Sequence, residues 1–504
     1  MAAEREIELK LNIAPRDIWR LLRLPILRVA TMKKMPGKRL ISTYYDTADQ
    51  RLREHSIAVR LRQVNGVWLQ AVKSEGRVVA GLHDRHEWEC ATRANTFDFR
   101  DMPDEKFKST LEKILNDEPL QAAFTTDFTR VSRIVQLGND TQCELSIDSG
   151  RIVANGNEQA ISEIELELID GNSRMLFEFA RELMTQIPLS VGHESKAQRG
   201  FALQRGDTAA PEKARPPALE KHMDTRQGFV AIAAACVQHL TANEAGCLLG
   251  DDPEFLHQMR VAIRRLRTAV QLFSDHLDEP AVLAIGTELR WLGAELGATR
   301  DWDVFLEESI APLLTALPDH AGLGNIQERL RARRDAVATT SAAAIQTLRY
   351  QHLLLDLGAW LTELSHDSDA ANESAKLIDF ARDALKRQRK QLIRRAANLL
   401  ELTPEERHRV RISSKRLRYA AEFFSPLFSA KLSKRYIQEL ANLQAILGSL
   451  NDTATSAALV DQIADEQDGE AVALIRAWSS GVASGHRAHL DQAHERFLKQ
   501  SIFW

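Results

Sequence analysis

The chain has 504 residues, 44% hydrophobic and 27% charged, enough for two or three domains with real cores, and this composition excludes global disorder. Its 66 basic and 70 acidic residues nearly cancel to a formal charge of −4, which excludes a uniformly basic nucleic-acid binder but not a segregated basic patch. The four cysteines form no CxxC pair, the N-terminus has no apolar signal core, and no run reaches about 18 apolar residues, so a soluble, cytoplasmic protein without a membrane partner is expected.

Up to about Arg205 the chain shows short stretches of period-2 alternation: residues 6–11, 59–62, 144–148 and 163–168. Strict alternation predicts strands. Helical patterns lie between them, at residues 15–24, 107–115 and 173–186. Residues 206–218 then carry three prolines among small polar residues and predict a linker. From residue 219 to 504 the period is 3.6, so an α+β domain (1–205) is expected to precede an all-α domain (219–504).

The polar faces of the strands hold ionisable groups almost exclusively: Glu6, Glu8 and Lys10; Arg60 and Arg62; Arg85, Glu87 and Glu89; Glu144, Ser146 and Asp148; Glu163, Glu165 and Glu167. Residues at i, i+2 and i+4 share one face of a strand, so three glutamates in a row need cations between them. Ile7, Leu9, Leu11, Leu145, Ile147, Ile164, Leu166 and Leu168 form the opposite faces. A closed sheet with charge inside and apolar residues outside, wrapped by helices, satisfies both faces and removes sheet edges. Clustered carboxylates suit a hard divalent cation such as Mg²⁺ or Mn²⁺, and clustered Arg and Lys suit phosphate oxygens.

These segments are similar, in order, to the CYTH domain, the triphosphate tunnel metalloenzymes. Glu6-x-Glu8-x-Lys10 resembles the family's N-terminal signature. Tyr44-Tyr45-Asp46-Thr47, Val59 to Arg62, Lys73 and Arg85-x-Glu87-x-Glu89 resemble its following segments. Ile147-Asp148-x-Gly150, Glu163-x-Glu165 and Ser195-Lys196-x-x-Arg199-Gly200 resemble its last strands. The resemblance implies an eight-stranded antiparallel barrel that hydrolyses or rearranges triphosphates with a divalent metal. It implies catalytic roles for Glu6, Glu8, Lys10, Lys73, Glu163 and Glu165. It implies substrate contacts from Lys10, Arg60, Arg62, Lys73, Arg85, Arg130 and Lys196, and metal ligands among Glu6, Glu8, Asp148, Glu163 and Glu165. Arg130 and Arg133 differ by an odd number, so only one faces inward on a regular strand; Arg130 is the expected one.

The C-terminal region repeats itself. His257, Arg260, Arg264-Arg265 and Arg267 recur 151 positions later as His408, Arg411, Lys415-Arg416 and Arg418. Phe273 and Phe424, Leu296-Gly297 and Leu447-Gly448, and Asp301 and Asp452 keep the same offset without a gap, which indicates an internal duplication. On a helix His257, Arg260, Arg264 and Arg267 fall within about 80° of one another, and Met259, Ile263, Leu266, Val270 and Phe273 lie on the far side. No acid interrupts either cationic face, unlike the mixed faces that form i,i+4 pairs.

This doubled pattern, with Arg300-Asp301-x-Asp303 and Leu450-Asn451-Asp452, resembles the CHAD domain over roughly residues 219–500. The resemblance implies two helical-bundle halves whose basic surface binds inorganic polyphosphate through His257, Arg260, Arg264, Arg267, His408, Arg411, Lys415 and Arg418. Similarity to bacterial CYTH–CHAD fusions implies hydrolysis of inorganic triphosphate to pyrophosphate and phosphate. The alternatives are a nucleoside or thiamine triphosphatase or adenylate cyclase of the same fold, or a non-catalytic polyphosphate-binding protein.

Overall fold

The computed structural model describes residues 4–64, 66–74, 76–94, 96–366, 375–463, 465 and 468–504, without the side chains of 366 and 451–454. Asn451 and Asp452 of the second repeat therefore have side chains outside the described set. Two units form, one of residues 1–209 with 348–363, the other of residues 210–347 with 364–504.

The first unit holds strands β1 (Glu4–Ile13), β2 (Thr31–Lys34), β3 (Lys38–Asp46), β4 (Ile57–Val64), β5 (Val67–Ser74), β6 (Arg77–Val79), β7 (Leu82–Thr92), β8 (Gln121–Leu137), β9 (Thr141–Ala154), β10 (Asn157–Asp170) and β11 (Leu189–Val191). Eight of them close antiparallel in the order β1-β10-β9-β8-β3-β4-β5-β7, and β7 returns to β1 with Glu6 opposite Arg85. β2, β6 and β11 lie beside this ring on β8, β7 and β1. The register puts charged residues side by side on the inner face: Lys10 faces Glu165, Glu163 faces Asp148, and Arg130 faces Asp148.

The outward apolar faces are covered as their alternation requires. Leu9, Leu145, Ile164 and Leu166 are fully buried, as are Leu176, Phe177, Ala180 and Leu183 of the helix Arg174–Gln186. Val59, Val72 and Trp88 pack with Leu111 and Ile114 of the helix Glu105–Leu115. The interior is not charged throughout. Toward one end Leu40, Tyr44, Phe124, Phe128, Ile152 and Ile161 form an apolar cluster with Phe201. Phe201 belongs to the helix Lys196–Arg205, capped by Ser195 through a reciprocal capping box with Gln198. Ser195 to Gly200 thus form a helix start rather than the strand expected from their order.

The helix segment 348–363 also belongs to this unit. Gln351 accepts a hydrogen bond from the Val191 amide of β11 at 2.8 Å, and Glu363 pairs with Arg174 at 3.0 Å. Gly358 leaves room for the Phe177 ring, which a Cβ there would overlap.

In the second unit the duplicated stretch takes the same form twice. Helices Pro253–Phe273 and Pro404–Phe424 both start on proline, both run into a 3-10 turn beginning at Ser274 or Ser425, and both precede a long helix, Glu279–Phe305 or Ala430–Asp461. The apolar faces are core: Met259, Ile263, Leu266 and Phe273 are at most 1% exposed. Phe273 and Phe424 meet at 6.1 Å between ring centroids. Within the linker, Glu212 is anchored by Asn243, whose amide both donates to and accepts from its backbone.

Candidate active site and cationic surface

Inside the barrel, cations and carboxylates alternate around the wall. The Lys73 ammonium lies 3.0 Å from Glu6 and 2.7 Å from Glu87. Arg85 bridges Glu6, at 2.7 Å, and Glu8. Arg60 reaches Glu87 at 3.0 Å and Glu89 at 3.2 Å. Arg130 holds Asp148 in a two-pronged pair at 2.8 and 2.7 Å and also touches Glu165. Arg133 points the other way, donating to the Leu22 carbonyl, as opposite parity on β8 requires.

Asp148, Glu163 and Glu165 converge, with one oxygen from each lying within 4.8 Å of the others. The Lys196 ammonium lies 2.7 Å from Asp148, 2.5 Å from Glu163 and 2.9 Å from Glu165. Arg199 adds a bond to Glu163 at 2.9 Å. Burial alone would raise the pKa of Glu165, but Lys10, Lys196 and Arg130 outweigh it and hold the carboxylate well below its usual range. Three buried carboxyl groups offering oxygen donors suit a hard divalent cation. Glu6 and Glu8 are not in this group. Glu6 is held by Lys73 and Arg85, and Glu8 by Arg85 and by Lys10 at 3.0 Å.

Arg62 stands apart. Its guanidinium donates to the Ser42 hydroxyl at 2.8 Å and forms no ion pair among the described residues, although Glu89 acts on it electrostatically. Burial, with Arg60 beside it, lowers its pKa to about 10. A half-buried guanidinium whose hydrogen bond goes to a neutral hydroxyl invites an anion.

In the helical unit, Arg260 donates to the Leu296 carbonyl at 2.9 Å and lies 3.7 Å from Asp301. Gly297 lets it approach, since a Cβ there would sit 3.2 Å from the guanidinium. Arg264 donates to the Tyr419 hydroxyl at 3.3 Å, which ties the first repeat's helix to the second's.

Two family models match the chain, the CYTH domain at residues 4–201 and the CHAD domain at residues 231–461. Residues 4–201 are a CYTH domain and residues 231–461 a CHAD domain. The chain is 34% identical over 210 residues to the inorganic triphosphatase of Haemophilus influenzae, a match covering 40% of this chain and 55% of that protein. It is 26% identical over 464 residues to an uncharacterised protein of Mycobacterium tuberculosis, covering 86% of this chain and 83% of that one. The crystal structure of a CHAD domain from Ricinus communis is 33% identical, with a TM-score of 0.52, and is 99% covered by 59% of this chain.

The CHAD surface also differs from the pattern read in its sequence. Arg418 is turned to Glu422 at 3.3 Å and lies over Tyr419, and the buried Arg265 shares Glu422. Burial lowers the pKa of Arg267, helped by Arg290 and Arg416, and that of Arg416, helped by Arg395. Arg290, Arg395 and Arg416 thus join a cationic group that sequence spacing had centred elsewhere. Glu422, four residues after Arg418, was the available signal. In the CYTH domain the expected inner-face residues all lie on the barrel wall except Lys196, which the C-terminal helix delivers. No described helix is long and apolar enough to cross a membrane.

Proposed function

We propose that the CYTH barrel hydrolyses inorganic triphosphate to pyrophosphate and phosphate with a divalent metal, and that the CHAD domain binds inorganic polyphosphate. The observation that carries the first reading is Arg62, a half-buried cation without an ion-pair partner among the described residues, on the same inner wall as the Asp148, Glu163 and Glu165 cluster. The name of the Haemophilus relative supports triphosphate as the substrate. Asp148, Glu163 and Glu165 would hold the metal, with Glu6 and Glu8 as the further carboxylates the family resemblance implies. Mg²⁺ or Mn²⁺, when bound, would neutralise phosphoryl charge and activate water.

The chain's own groups do the rest. Arg62 and Arg60 hold phosphoryl oxygens. Arg130, Lys10, Lys73 and Arg85 give up part of their pairing with carboxylates to the incoming anion. Lys196, set among the three carboxylates, is positioned to follow charge onto the substrate. Positioned cations in a dry site stabilise the charge of the transferred phosphoryl group without reorganisation. The four cysteines are free, in keeping with the cytoplasm.

The CHAD reading rests on cations of both repeats, Arg264, Arg267 and Arg416, two of them depressed in pKa chiefly by burial and then by neighbouring arginines. The test is phosphate release from inorganic triphosphate, pyrophosphate, ATP, thiamine triphosphate and long-chain polyphosphate, with Mg²⁺ or Mn²⁺ and with chelator. Turnover of triphosphate above the other four, lost on chelation, is expected. Preference for ATP or thiamine triphosphate would replace the substrate, and silence on all five would leave only binding.

A further inference from the structure

Tyr44 lies on the inner face of β3, directly opposite Arg60 on β4, two residues from Ser42, which holds Arg62. It is 6% exposed. Arg60, Arg62 and Lys73 are close enough to act on its hydroxyl electrostatically. Burial opposes ionisation of the phenol, yet these three cations outweigh burial and lower its pKa. A phenol beside clustered cations is polarised, and its own proton becomes a stronger donor.

The ring is fixed from behind. Tyr44 stacks on Phe124 with centroids 4.6 Å apart and planes at 12°, and Phe124 meets Phe201 edge-on at 5.0 Å. Gly200 is required beside them, because a Cβ there would overlap the Phe124 ring. Phe128, Ile152 and Ile161 complete an apolar cluster that fills the barrel interior at this end. A charged phosphate chain cannot enter that cluster without losing its hydration. Tyr44 stands where this cluster meets Arg60 and Arg62 on the inner wall.

We propose that Tyr44 is a substrate-positioning residue, the end stop of the barrel, whose hydroxyl donates to the terminal phosphoryl group of a linear polyphosphate while its stacked ring blocks further entry. This rests on the triphosphatase reading and adds where the chain end sits. The chain end is held at Arg60, Arg62 and Tyr44, so the bond that reacts is counted from that end, and cleavage within a long chain is excluded.

The experiment compares the full-length protein with Tyr44→Phe and Tyr44→Leu on inorganic triphosphate under Mg²⁺, and on polyphosphate of defined length with product sizing. Tyr44→Phe keeps the stacked ring and loses only the hydroxyl. Its KM should rise roughly ten- to hundredfold, the loss expected for a hydrogen bond to a charged group, with kcat changed far less. Tyr44→Leu removes the wall as well, and the products from defined-length polyphosphate should lose their fixed size. A thermal melt of both variants checks that the barrel survives. If wild type does not turn over triphosphate, the triphosphatase reading fails and the inference with it. If wild type is active and Tyr44→Phe matches it in KM, or shows an equal loss in kcat and none in KM, the end-stop role alone is overturned. Internal cleavage of long chains by wild type overturns it as well.

Discussion

Lys196 in the barrel and Arg416 in the helical unit are both basic residues offered here to a phosphate chain, but they are held in opposite ways. Lys196 is buried against three carboxylates, and its pKa is raised because they outweigh burial. Arg416 has its pKa lowered by burial and by Arg395. The barrel stores its positive charge already neutralised. A ligand there exchanges partners with carboxylates and must match their geometry. Arg267 and Arg416 of the CHAD domain form no ion pair among the described residues, so a ligand there replaces mobile counterions and needs little shape. One arrangement suits a compact anion with its metal, the other a long polyanion.

Removing a carboxylate should therefore do most harm in the barrel. Glu165→Gln leaves Lys10, Lys196 and Arg130 short of one buried counter-charge. Breaking a buried pair from one side costs about 3–5 kcal/mol, so urea unfolding should show a loss of that size and metal-dependent phosphate release should vanish. Glu6→Gln should abolish turnover with a smaller stability cost, because Lys73 keeps Glu87 and Arg85 keeps Glu8. Glu165→Gln with near wild-type turnover would remove the carboxylate cluster from the chemistry.

Arg62→Ala tests an inner-wall cation held in a different way. Loss of a charge-stabilising donor costs about 2–4 kcal/mol of transition-state stabilisation, so kcat/KM should fall accordingly. Stability should change little, since Arg62 has no ion-pair partner to orphan among the described residues. Unchanged kcat/KM in steady-state kinetics would make Arg62 structural.

The reasons why some of this was legible in the sequence and some was not are physical. Strand parity exposes which residues share a face, so Glu6, Glu8, Lys10, Glu163 and Glu165 could be placed inside, and Arg130 lies on the inner face while Arg133 does not. A gapless repeat preserves geometry, and the paired helices start and stop 151 positions apart. Periodicity says that a helix has an apolar face but not what covers it. Nothing in residues 348–363 marks them for the barrel unit, and they lie far beyond the linker. Apolar residues on the inner face, such as Phe124 and Phe128, break no alternation, so the closed end of the barrel was invisible until Phe201 was seen against them.

On the CHAD surface, Arg264→Glu with Arg416→Glu should abolish binding of long-chain polyphosphate and leave triphosphate turnover nearly intact. Binding by the wild type should weaken steeply with salt, as counterion release requires. Arg418→Glu alone should matter less than Arg416→Glu, because Arg418 is already committed to Glu422. Titrations at two salt concentrations decide both points. Equal effects of the two single reversals would mean that the Glu422 pair opens on binding.

The smallest effect concerns protons. Burial, then Arg300, Arg264 and Arg260, lower the pKa of His257 to about 4, with Glu254 opposing, and its Nδ1 has no hydrogen-bond partner. In the unfolded chain a histidine titrates near 6.5. A group with a depressed folded pKa contributes stability that is whole above the unfolded value and is lost as pH falls through the folded one, here between about 6.5 and 4. A polyphosphate on this face would add negative charge beside His257 and raise its pKa, so binding would take up a proton. Affinity should then increase as pH falls from 7 toward 5, in the same window where the ligand-free protein loses stability. His257→Asn should flatten both slopes and leave affinity at pH 8 close to wild type. The pair of measurements is polyphosphate titration and thermal melting of wild type and variant at matched salt. A wild-type affinity that is flat across that window, or a slope that survives in His257→Asn, would place the proton elsewhere and leave Arg260, Arg264 and Arg300 to hold the anion without it.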